Sequence, residues 1–168
     1  QSCIIPDQAK TSIENKYKID NHINTLDHLK LNTIIDEVLL NEHKTIIFSY
    51  FRLEIQYLFN KLKHSKNVGY IDGSISKEQK HLLVNSKLHD ILIIQINAGG
   101  TGLNLQQYNY IYFTSPQWNP TLELQAIARA YRIGQLNTVY VKRFINANSI
   151  EIQIQTTQHY KLELIQQY

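Results

Sequence analysis

The sequence has little of what builds disulfide frameworks, metal sites or membrane spans. Its single cysteine, Cys3, cannot form a disulfide within the chain, which is consistent with an intracellular protein. The seven histidines form no His-x-x-x-His pair and there is no Cys-x-x-Cys pair, so no metal site is predicted. The longest aliphatic run, Ile91 to Ile94, is far shorter than the ~20 residues of a transmembrane helix. We therefore expect no membrane partner.

Two signatures of nucleotide binding are also absent. No Gly-Lys-Ser/Thr occurs, so the chain lacks the lysine and the magnesium-binding hydroxyl with which a phosphate loop holds a triphosphate. The glycines at 99–102 are not a dinucleotide fingerprint, because no acidic residue ends the next predicted strand, 110–115. The sequence also lacks an initiating methionine, and we expect it to be a fragment of a longer protein.

The composition is that of a globular domain with one core. Hydrophobic residues make up 43% of the 168 residues and charged residues 18%. A net charge of +3 and a pI near 8.9 permit contact with nucleic acid without requiring it.

Strands alternate with helices along the chain. Short apolar runs predict five strands, at 45–50, 67–72, 90–96, 110–115 and 138–145. Because these runs are apolar throughout rather than alternating, they favour a parallel sheet covered by helices on both faces, an α/β fold. Ligands of such sheets bind beyond the carboxyl ends of the strands.

Capping residues mark the predicted helix starts. Ser76 with Gln79 forms a capping-box pattern, and Asn119 followed by proline predicts the start of a later helix. Asn148 is the predicted cap of the last helix.

One acidic segment imitates an ATPase box. Asp36-Glu37-Val38-Leu39 has the DExx form, but a true box ends a buried strand that follows a phosphate loop. Because both acids fall on the polar side of a predicted helix, we favour a surface-helix interpretation.

Glycines and arginines form the candidate site. Gly100 and Gly102 follow the third predicted strand, and glycine lets a ligand approach backbone N–H groups closely. Arg129 and Arg132 are three residues apart on a predicted helix, so both guanidinium groups can reach one anion. The alternatives are a tight strand exit and a solvated helix face. Together the two features indicate a phosphorylated ligand at one sheet edge.

Several motifs, in order and spacing, resemble a known family. They are Asp72-Gly73-Ser74, AGGTGLNL at 98–105, Trp118-Asn119-Pro120 and QAIARAYRIGQ at 125–135. They are similar to the second RecA-like lobe of the Swi/Snf family of DNA-translocating ATPases, in helicase superfamily two, and most similar to its ubiquitin-ligase-linked repair translocases. The resemblance implies a RecA-like three-layer domain at 26–168, preceded at 1–25 by a connector from the first lobe.

The resemblance implies a role for each matching position. Arg132 and Arg129 match the arginines of the sixth helicase motif, and Arg132 is the implied arginine finger towards the γ-phosphate of ATP. The implied nucleotide-binding positions are Gly100, Gly102, Asn104 and Gln125. The implied DNA contacts are Trp118, Asn97, Ser49 and Ser74. The sequence departs from the family at 95–97, where Gln-Ile-Asn replaces a hydroxyl residue followed by a basic one.

The resemblance implies an ATP-dependent translocase of double-stranded DNA. ATP and Mg²⁺ are then held mainly by the N-terminal RecA-like lobe of the same chain, so the fragment alone is expected to be inactive. Expected partners are double-stranded DNA and a protein–DNA complex as a remodelling substrate, in the nucleus if the source is a eukaryote. One alternative is an inactive lobe that serves as a DNA or protein binding module. A weaker alternative is an RNA helicase of the same superfamily.

Overall fold

The computed structural model describes residues 21–98 and 102–166, with side chains from 28 to 98 and from 102 to 164. These ranges contain five helices and five strands. The helices are α1 (Asn21–Leu40), α2 (Arg52–Leu62), α3 (Lys77–Asn85), α4 (Pro120–Ile127) and α5 (Ile150–Gln166). The strands are β1 (Thr45–Ser49), β2 (Val68–Ile71), β3 (Ile91–Gln95), β4 (Tyr110–Phe113) and β5 (Tyr140–Arg143).

The strands form one sheet in the order β2-β3-β1-β4-β5. All four pairings are parallel, and Ile47 of β1, for example, lies between Ile93 of β3 and Tyr112 of β4. Each strand falls inside its predicted range. The predicted parallel α/β sheet is therefore confirmed.

Helices cover both faces of this sheet because successive strand residues point to opposite sides. Ile46 of β1 belongs to one buried cluster, together with Val84 of α3 and Ala126 of α4. Ile47 belongs to a second cluster, with Leu58 of α2 and several residues of α1. A fully buried Ile or Leu contributes about 1.5–3 kcal/mol relative to exposure. These two cores hold the sheet whose carboxyl edge carries the candidate site.

Buried polar contacts attach the C-terminal helix α5. Lys30 Nζ of α1 lies 2.6 Å from Glu151 Oε1 and 3.1 Å from Ser115 Oγ, and the Lys30 side chain is only 5% exposed. The Gln158 amide donates a 2.7 Å hydrogen bond to Glu123 of α4. Because each buried charge has a partner, these contacts fix α5 without leaving an unpaired ion.

Two predicted helix starts are confirmed and one was wrong. Ser76 and Gln79 form the reciprocal capping box of α3, and Asn119 accepts a hydrogen bond from the N–H of Thr121 at the start of α4. The predicted cap of the last helix, Asn148, has a φ of 59°. Ser149 provides that cap instead, since its Oγ accepts a 3.2 Å hydrogen bond from the backbone N–H at position 151.

The acidic segment at 36–39 lies on helix α1, as the surface-helix interpretation predicted. Asp36 is exposed. Glu37 is more engaged than predicted, because it accepts a 3.0 Å hydrogen bond from the Tyr112 hydroxyl and lies 2.6 Å from Lys142 Nζ. It therefore ties α1 to β4 and β5. None of the helices within 21–98 and 102–166 is long and apolar enough to cross a membrane.

Candidate functional site at the carboxyl edge of the sheet

The loops that follow β1, β3 and β4 open on the same edge of the sheet because the strands are parallel. A pocket of about 130 Å³ lies there, between the loop after β3 and helix α4. Asn97, Gln125 and Arg129 are its polar lining residues. The remaining lining residues are apolar: Phe48, Ile96, Leu122 and Ala126. The structure thus brings Asn97, which follows β3, together with Gln125 and Arg129, which belong to the motif at 125–135.

The pocket is suited to an anion. Its polar groups are one guanidinium and two side-chain amides, and none of its lining residues is a carboxylate. In the described residues, the guanidinium of Arg129 makes no hydrogen bond or ion pair, so it remains available to bind a ligand. A half-buried cation without an internal partner is a ready site for phosphate or another anion.

The two arginines do not share a helix, so that prediction was wrong. Helix α4 ends at Ile127, and Arg129 lies in the turn that follows, where its N–H bonds to the carbonyl of Ala126. Arg132 lies beyond the turn, is exposed, and does not line the pocket. No described residue binds its guanidinium group. Arg129 faces the pocket, and Arg132 projects from the neighbouring loop.

The glycine segment lies only partly in the described residues. Gly100 falls outside them. Gly102 is exposed with a φ of +70°, and apart from its chain neighbours no heavy atom of the described residues would lie within 4 Å of an added Cβ. Its backbone is therefore open to close approach. Asn104 is exposed, and its Oδ1 accepts a 3.3 Å hydrogen bond from the N–H of Gln106, which shapes the following turn.

The predicted DNA contacts fall in different surroundings. Trp118 is 56% exposed, and its carbonyl accepts a 2.8 Å hydrogen bond from Lys161 Nζ. Ser74 is exposed on the turn after β2, and both its N–H and its hydroxyl donate to Asp72 Oδ1. Asn97, also predicted as a DNA contact, is exposed and lines the arginine pocket.

Ser49 is unsuited to the predicted DNA contact. It is only 2% exposed, and its hydroxyl donates a 2.6 Å hydrogen bond to Glu54 Oε2. Thr114 donates to the same oxygen at 2.7 Å. Glu54 of α2 thus connects the end of β1 to the residue after β4, and the hydroxyl of Ser49 is used inside the domain rather than facing a ligand.

Charge at the turn after β2 is balanced locally. Burial raises the pKa of Asp72, but the hydrogen bonds from Ser74 and the charges of Arg52 and Lys80 outweigh burial and hold that pKa below its ordinary value. Arg52 Nε lies 3.1 Å from Asp72 Oδ2. The turn therefore carries an ionised carboxylate that orients Ser74. In the part of the chain that the structure describes, no cluster of three His, Cys, Asp or Glu side chains could hold a metal.

The family model described as helicase conserved C-terminal domain matches residues 29–134, which contain the pocket and both arginines. The chain belongs to the helicase C-terminal domain family. The resemblance to the second lobe of the Swi/Snf group is confirmed by the proteins that this helicase domain matches.

Three curated relatives illustrate the match. The helicase domain is 41% identical over 119 residues to DNA repair protein RAD5 of Saccharomyces cerevisiae, covering 64% of this chain and 10% of that protein. It is 36% identical over 141 residues to the SWI/SNF chromatin-remodeling complex subunit snf22 of Schizosaccharomyces pombe, covering 80% of this chain and 8% of that protein. It is 33% identical over 136 residues to human TATA-binding protein-associated factor 172, covering 76% of this chain and 7% of that protein. The chain thus spans about a tenth of these relatives.

A solved structure confirms the fold. The C-terminal part of the Fun30 ATPase domain matches the helicase domain with a TM-score of 0.66 and 30% sequence identity, covering 81% of this chain and 44% of that one. This similarity agrees with the five-stranded parallel sheet and its helical layers, a RecA-like domain.

Two glutamines shape the site and were missed as site residues. Gln95 ends β3, and its Oε1 accepts from the N–H of Gly73 at 3.1 Å while its Nε2 donates to the carbonyl of Tyr50 at 3.4 Å. It therefore ties together the loops after three adjacent strands of the helicase domain. A polar residue at the end of an apolar strand was the available signal.

Gln135 has a similar role beside the arginines. Its Nε2 donates to the carbonyls of Gln106, Ala130 and Tyr108 at 2.9, 3.2 and 3.4 Å. One side chain thus anchors the arginine loop to the segment after the glycines. No local pattern signals this role, because two of its partners are distant in sequence.

Proposed function

We propose that this helicase domain completes the ATP site of a double-stranded DNA translocase whose first lobe holds most of the nucleotide. The main support for the proposal is that Asn97, Gln125 and Arg129 line one common pocket beyond the carboxyl end of β3. Its guanidinium and amide donors suit the phosphate chain of ATP. Gly102, with its open backbone, and Asn104 belong to the same proposed nucleotide surface.

The small volume of the pocket indicates that a second surface is needed to enclose a nucleotide. Its volume of about 130 Å³ compares with roughly 300–1,000 Å³ for ordinary ligand pockets. The sequence also contains no Gly-Lys-Ser/Thr phosphate loop. In the proposed arrangement ATP lies between this surface and the first lobe, which supplies the phosphate loop and the Mg²⁺ site. The domain alone is then inactive.

Arg132 is the proposed arginine finger, and Arg129 the residue that binds and orients the nucleotide. Arg132 is exposed and its guanidinium binds no described residue, so this side chain is free to reach across a cleft. A guanidinium placed on the γ-phosphate stabilises transition-state charge and is worth about 10³–10⁵ in rate. Bound ATP supplies the phosphoryl group and the driving force. Because the finger acts only when the lobes meet, hydrolysis is coupled to closure.

Trp118 and Ser74 are the proposed DNA contacts on this lobe. Both are exposed, and both are held by internal hydrogen bonds: the Trp118 carbonyl by Lys161 and the Ser74 side chain by Asp72. A grip on DNA by each lobe converts opening and closing into steps along the duplex. The names of the relatives, in DNA repair and chromatin remodelling, support double-stranded DNA in a protein–DNA complex as the substrate, and a nuclear location in a eukaryote.

The direct test is ATP hydrolysis by the full-length protein with and without duplex DNA. Arg132→Ala is expected to lower kcat by about 10³-fold or more, with duplex binding unchanged. Arg129→Ala is expected mainly to raise the KM for ATP, because it removes a ground-state contact. Lys63→Ala, which removes an exposed cation at the end of α2, serves as the control. More than a tenth of the wild-type kcat in Arg132→Ala would exclude the finger role.

The same assay separates the alternatives. Stronger stimulation by single-stranded RNA than by duplex DNA would favour an RNA helicase. Duplex binding without any ATP hydrolysis in the full-length protein would favour an inactive binding module.

A further inference from the structure

Helix α5 begins after the segment that matches the helicase C-terminal domain family, and one of its faces packs beside Trp118. Ile154, Gln158 and Lys161 have the i, i+4, i+7 spacing of a single helix face. Ile154 and Gln158 are buried, and Lys161 is exposed. Gln158 and Lys161 both donate hydrogen bonds to carbonyls of the segment between β4 and α4. This face of α5 therefore contacts the backbone that carries Trp118.

The residue before Trp118 is held by a closed set of hydrogen bonds. The N–H of Gln117 donates to Glu123 Oε1 at 3.0 Å. The side-chain amide of Gln158 donates to the same carboxylate oxygen at 2.7 Å and also to the carbonyl of Gln117. A side-chain amide has two N–H donors, so both can be satisfied in this arrangement. Gln158 of α5 and Glu123 of α4 together fix the backbone at position 117 on both its carbonyl and its N–H side.

Lys161 fixes the next carbonyl along the chain. Its Nζ donates a 2.8 Å hydrogen bond to the carbonyl of Trp118. The backbone of Trp118 is thereby held while its side chain remains 56% exposed. A side chain on a backbone that is fixed in advance costs less entropy to immobilise on binding than one on a free loop. The contacts of α5 thus preorganise an exposed aromatic side chain.

We propose that Gln158 and Lys161 are positioning residues for DNA binding, which hold Trp118 in the orientation that meets the duplex. This inference rests on the proposed function of Trp118 as a DNA contact. Gln158 is buried and cannot itself reach DNA, so its effect passes through the backbone of residues 117 and 118. Lys161 acts through the carbonyl of Trp118. Helix α5 then takes part in DNA binding although it lies outside the matched segment, 29–134.

A direct contact between Lys161 and a DNA phosphate would have a different salt dependence. Each lysine that neutralises a phosphate contributes about 0.9 to the slope of log K against log salt concentration. A positioning role leaves this slope unchanged, because the number of neutralised phosphates stays the same. The slope therefore separates the two roles of the Lys161 side chain.

The test measures duplex binding and duplex-stimulated ATP hydrolysis by the full-length protein. Lys161→Met keeps an unbranched side chain and removes the donor. It is expected to raise the duplex concentration for half-maximal stimulation about 5-fold, the effect of one lost hydrogen bond. Its kcat at saturating duplex is expected to stay within about twofold of the wild type. The salt slope is expected to be unchanged, and Lys161→Arg, which keeps a cationic donor, is expected to restore binding.

The matched control for Lys161→Met is Lys63→Met, which removes an exposed cation from the end of α2 and is expected to bind duplex like the wild type.

Gln158→Met tests the buried member of the pair. It is expected to weaken duplex binding about 10-fold or more, since two hydrogen bonds to the segment before Trp118 are lost. Gln153→Met, at an exposed position on the same helix, is the control and is expected to bind normally. Urea unfolding shows whether Gln158→Met is folded. If it is not, the Lys161 variants decide the inference, because Lys161 is exposed and its replacement leaves no buried group unpaired.

A double-mutant cycle asks whether Lys161 acts through Trp118. In a Trp118→Ala background, Lys161→Met is expected to have no further effect on duplex binding, because the side chain that it positions is absent. Additive losses would overturn the inference, and so would a salt slope lowered by about 0.9 in Lys161→Met.

The same variants separate this inference from the proposed function. If Trp118→Ala weakens duplex binding while Lys161→Met and a folded Gln158→Met bind like the wild type, the inference fails and the proposed DNA contact stands. If Trp118→Ala itself binds duplex like the wild type, the proposed DNA contact fails and the inference fails with it.

Discussion

The backbone N–H of Leu105 donates a 3.0 Å hydrogen bond to the carbonyl oxygen of Arg129. This bond joins the segment after the glycines to the turn that places a guanidinium in the candidate pocket. Gln106 and Gln135 continue the same connection towards the loop of Arg132. The positions of both arginines therefore depend on the segment between β3 and β4, so perturbing one motif is expected to be felt at the other.

Gln135→Ala is expected to destabilise the domain by up to about 2 kcal/mol, because the two N–H donors that three carbonyl oxygens share are lost and about 1 kcal/mol is typical for each hydrogen bond lost. The half-buried position of Gln135 lets water replace part of the loss. Urea unfolding of the chain measures the free energy change. Gln153→Ala, at an exposed position on α5, is the matched control and is expected to stay within about 0.5 kcal/mol of the wild type. Equal stabilities for the two variants would contradict the anchoring role.

Glu123→Ala is expected to cost about 3 kcal/mol, since a buried carboxylate with several donors is lost. Glu123 is 2% exposed, and its oxygens accept from Arg143 Nε at 2.7 Å, from the N–H of Gln117 at 3.0 Å and from Gln158. Arg143 is about a third exposed, so water relieves part of its loss. Thermal unfolding is the measurement.

The control for Glu123→Ala is Glu163→Ala, at an exposed position on α5, where a change below about 0.5 kcal/mol is expected. Since Gln117 directly precedes Trp118, the Glu123 variant is also expected to weaken duplex binding by the full-length protein. Unaltered stability would show that the buried carboxylate is dispensable.

The strands could be predicted from sequence because each is a short apolar run covered on both faces, and this property is local. The end of α4 could not be predicted in this way. The residues after Ile127 favour helix, yet the chain leaves it because the carbonyl of Arg129 bonds to Leu105 and that of Ala130 bonds to Gln135. A distant partner thus overrides local propensity. The helical spacing predicted for the two arginines was wrong for this reason.

The candidate site, like the fold, could be predicted from sequence only in part. Asn97 lies directly after β3, and the parallel topology brings it to the edge where Gln125 of α4 and Arg129 of the following turn line the same pocket. Ser49 also follows that rule, but Glu54 of α2 takes its hydroxyl into the domain. A strand-end position therefore predicts the edge on which a residue lies, and only the packed neighbours decide whether its side chain faces a ligand.

Alkaline pH is expected to destabilise the domain through Tyr108. Burial raises the pKa of its phenol to about 12, against about 10 for an unfolded tyrosine. Folding thus favours the neutral phenol, and this contribution is complete below pH 10 and lost as the pH rises from about 10 to about 12. Between pH 9 and 11 the wild type is expected to lose about 1.4 kcal/mol more than Tyr108→Phe.

Urea unfolding at the two pH values tests this expectation. Tyr131→Phe, which changes a tyrosine that is 70% exposed, is the control and is expected to follow the wild type. Burial also raises the pKa of Tyr112 to about 12, so some pH dependence persists in the Tyr108 variant. Parallel losses in wild type and Tyr108→Phe would exclude the buried phenol as the cause.

Gly134→Ala is expected to destabilise the arginine loop by about 1–2 kcal/mol, because a non-glycine residue at a φ of +97° is strained. The new Cβ would also lie 3.3 Å from Gln106 Nε2, the donor that holds the carbonyl of Ile133. The control is Gly73→Ala, whose Cβ would meet Gln95 Oε1 at an ordinary 3.7 Å. Urea unfolding should then show a clear loss for Gly134→Ala and little change for Gly73→Ala. If both variants are equally stable, the left-handed turn does not constrain this loop.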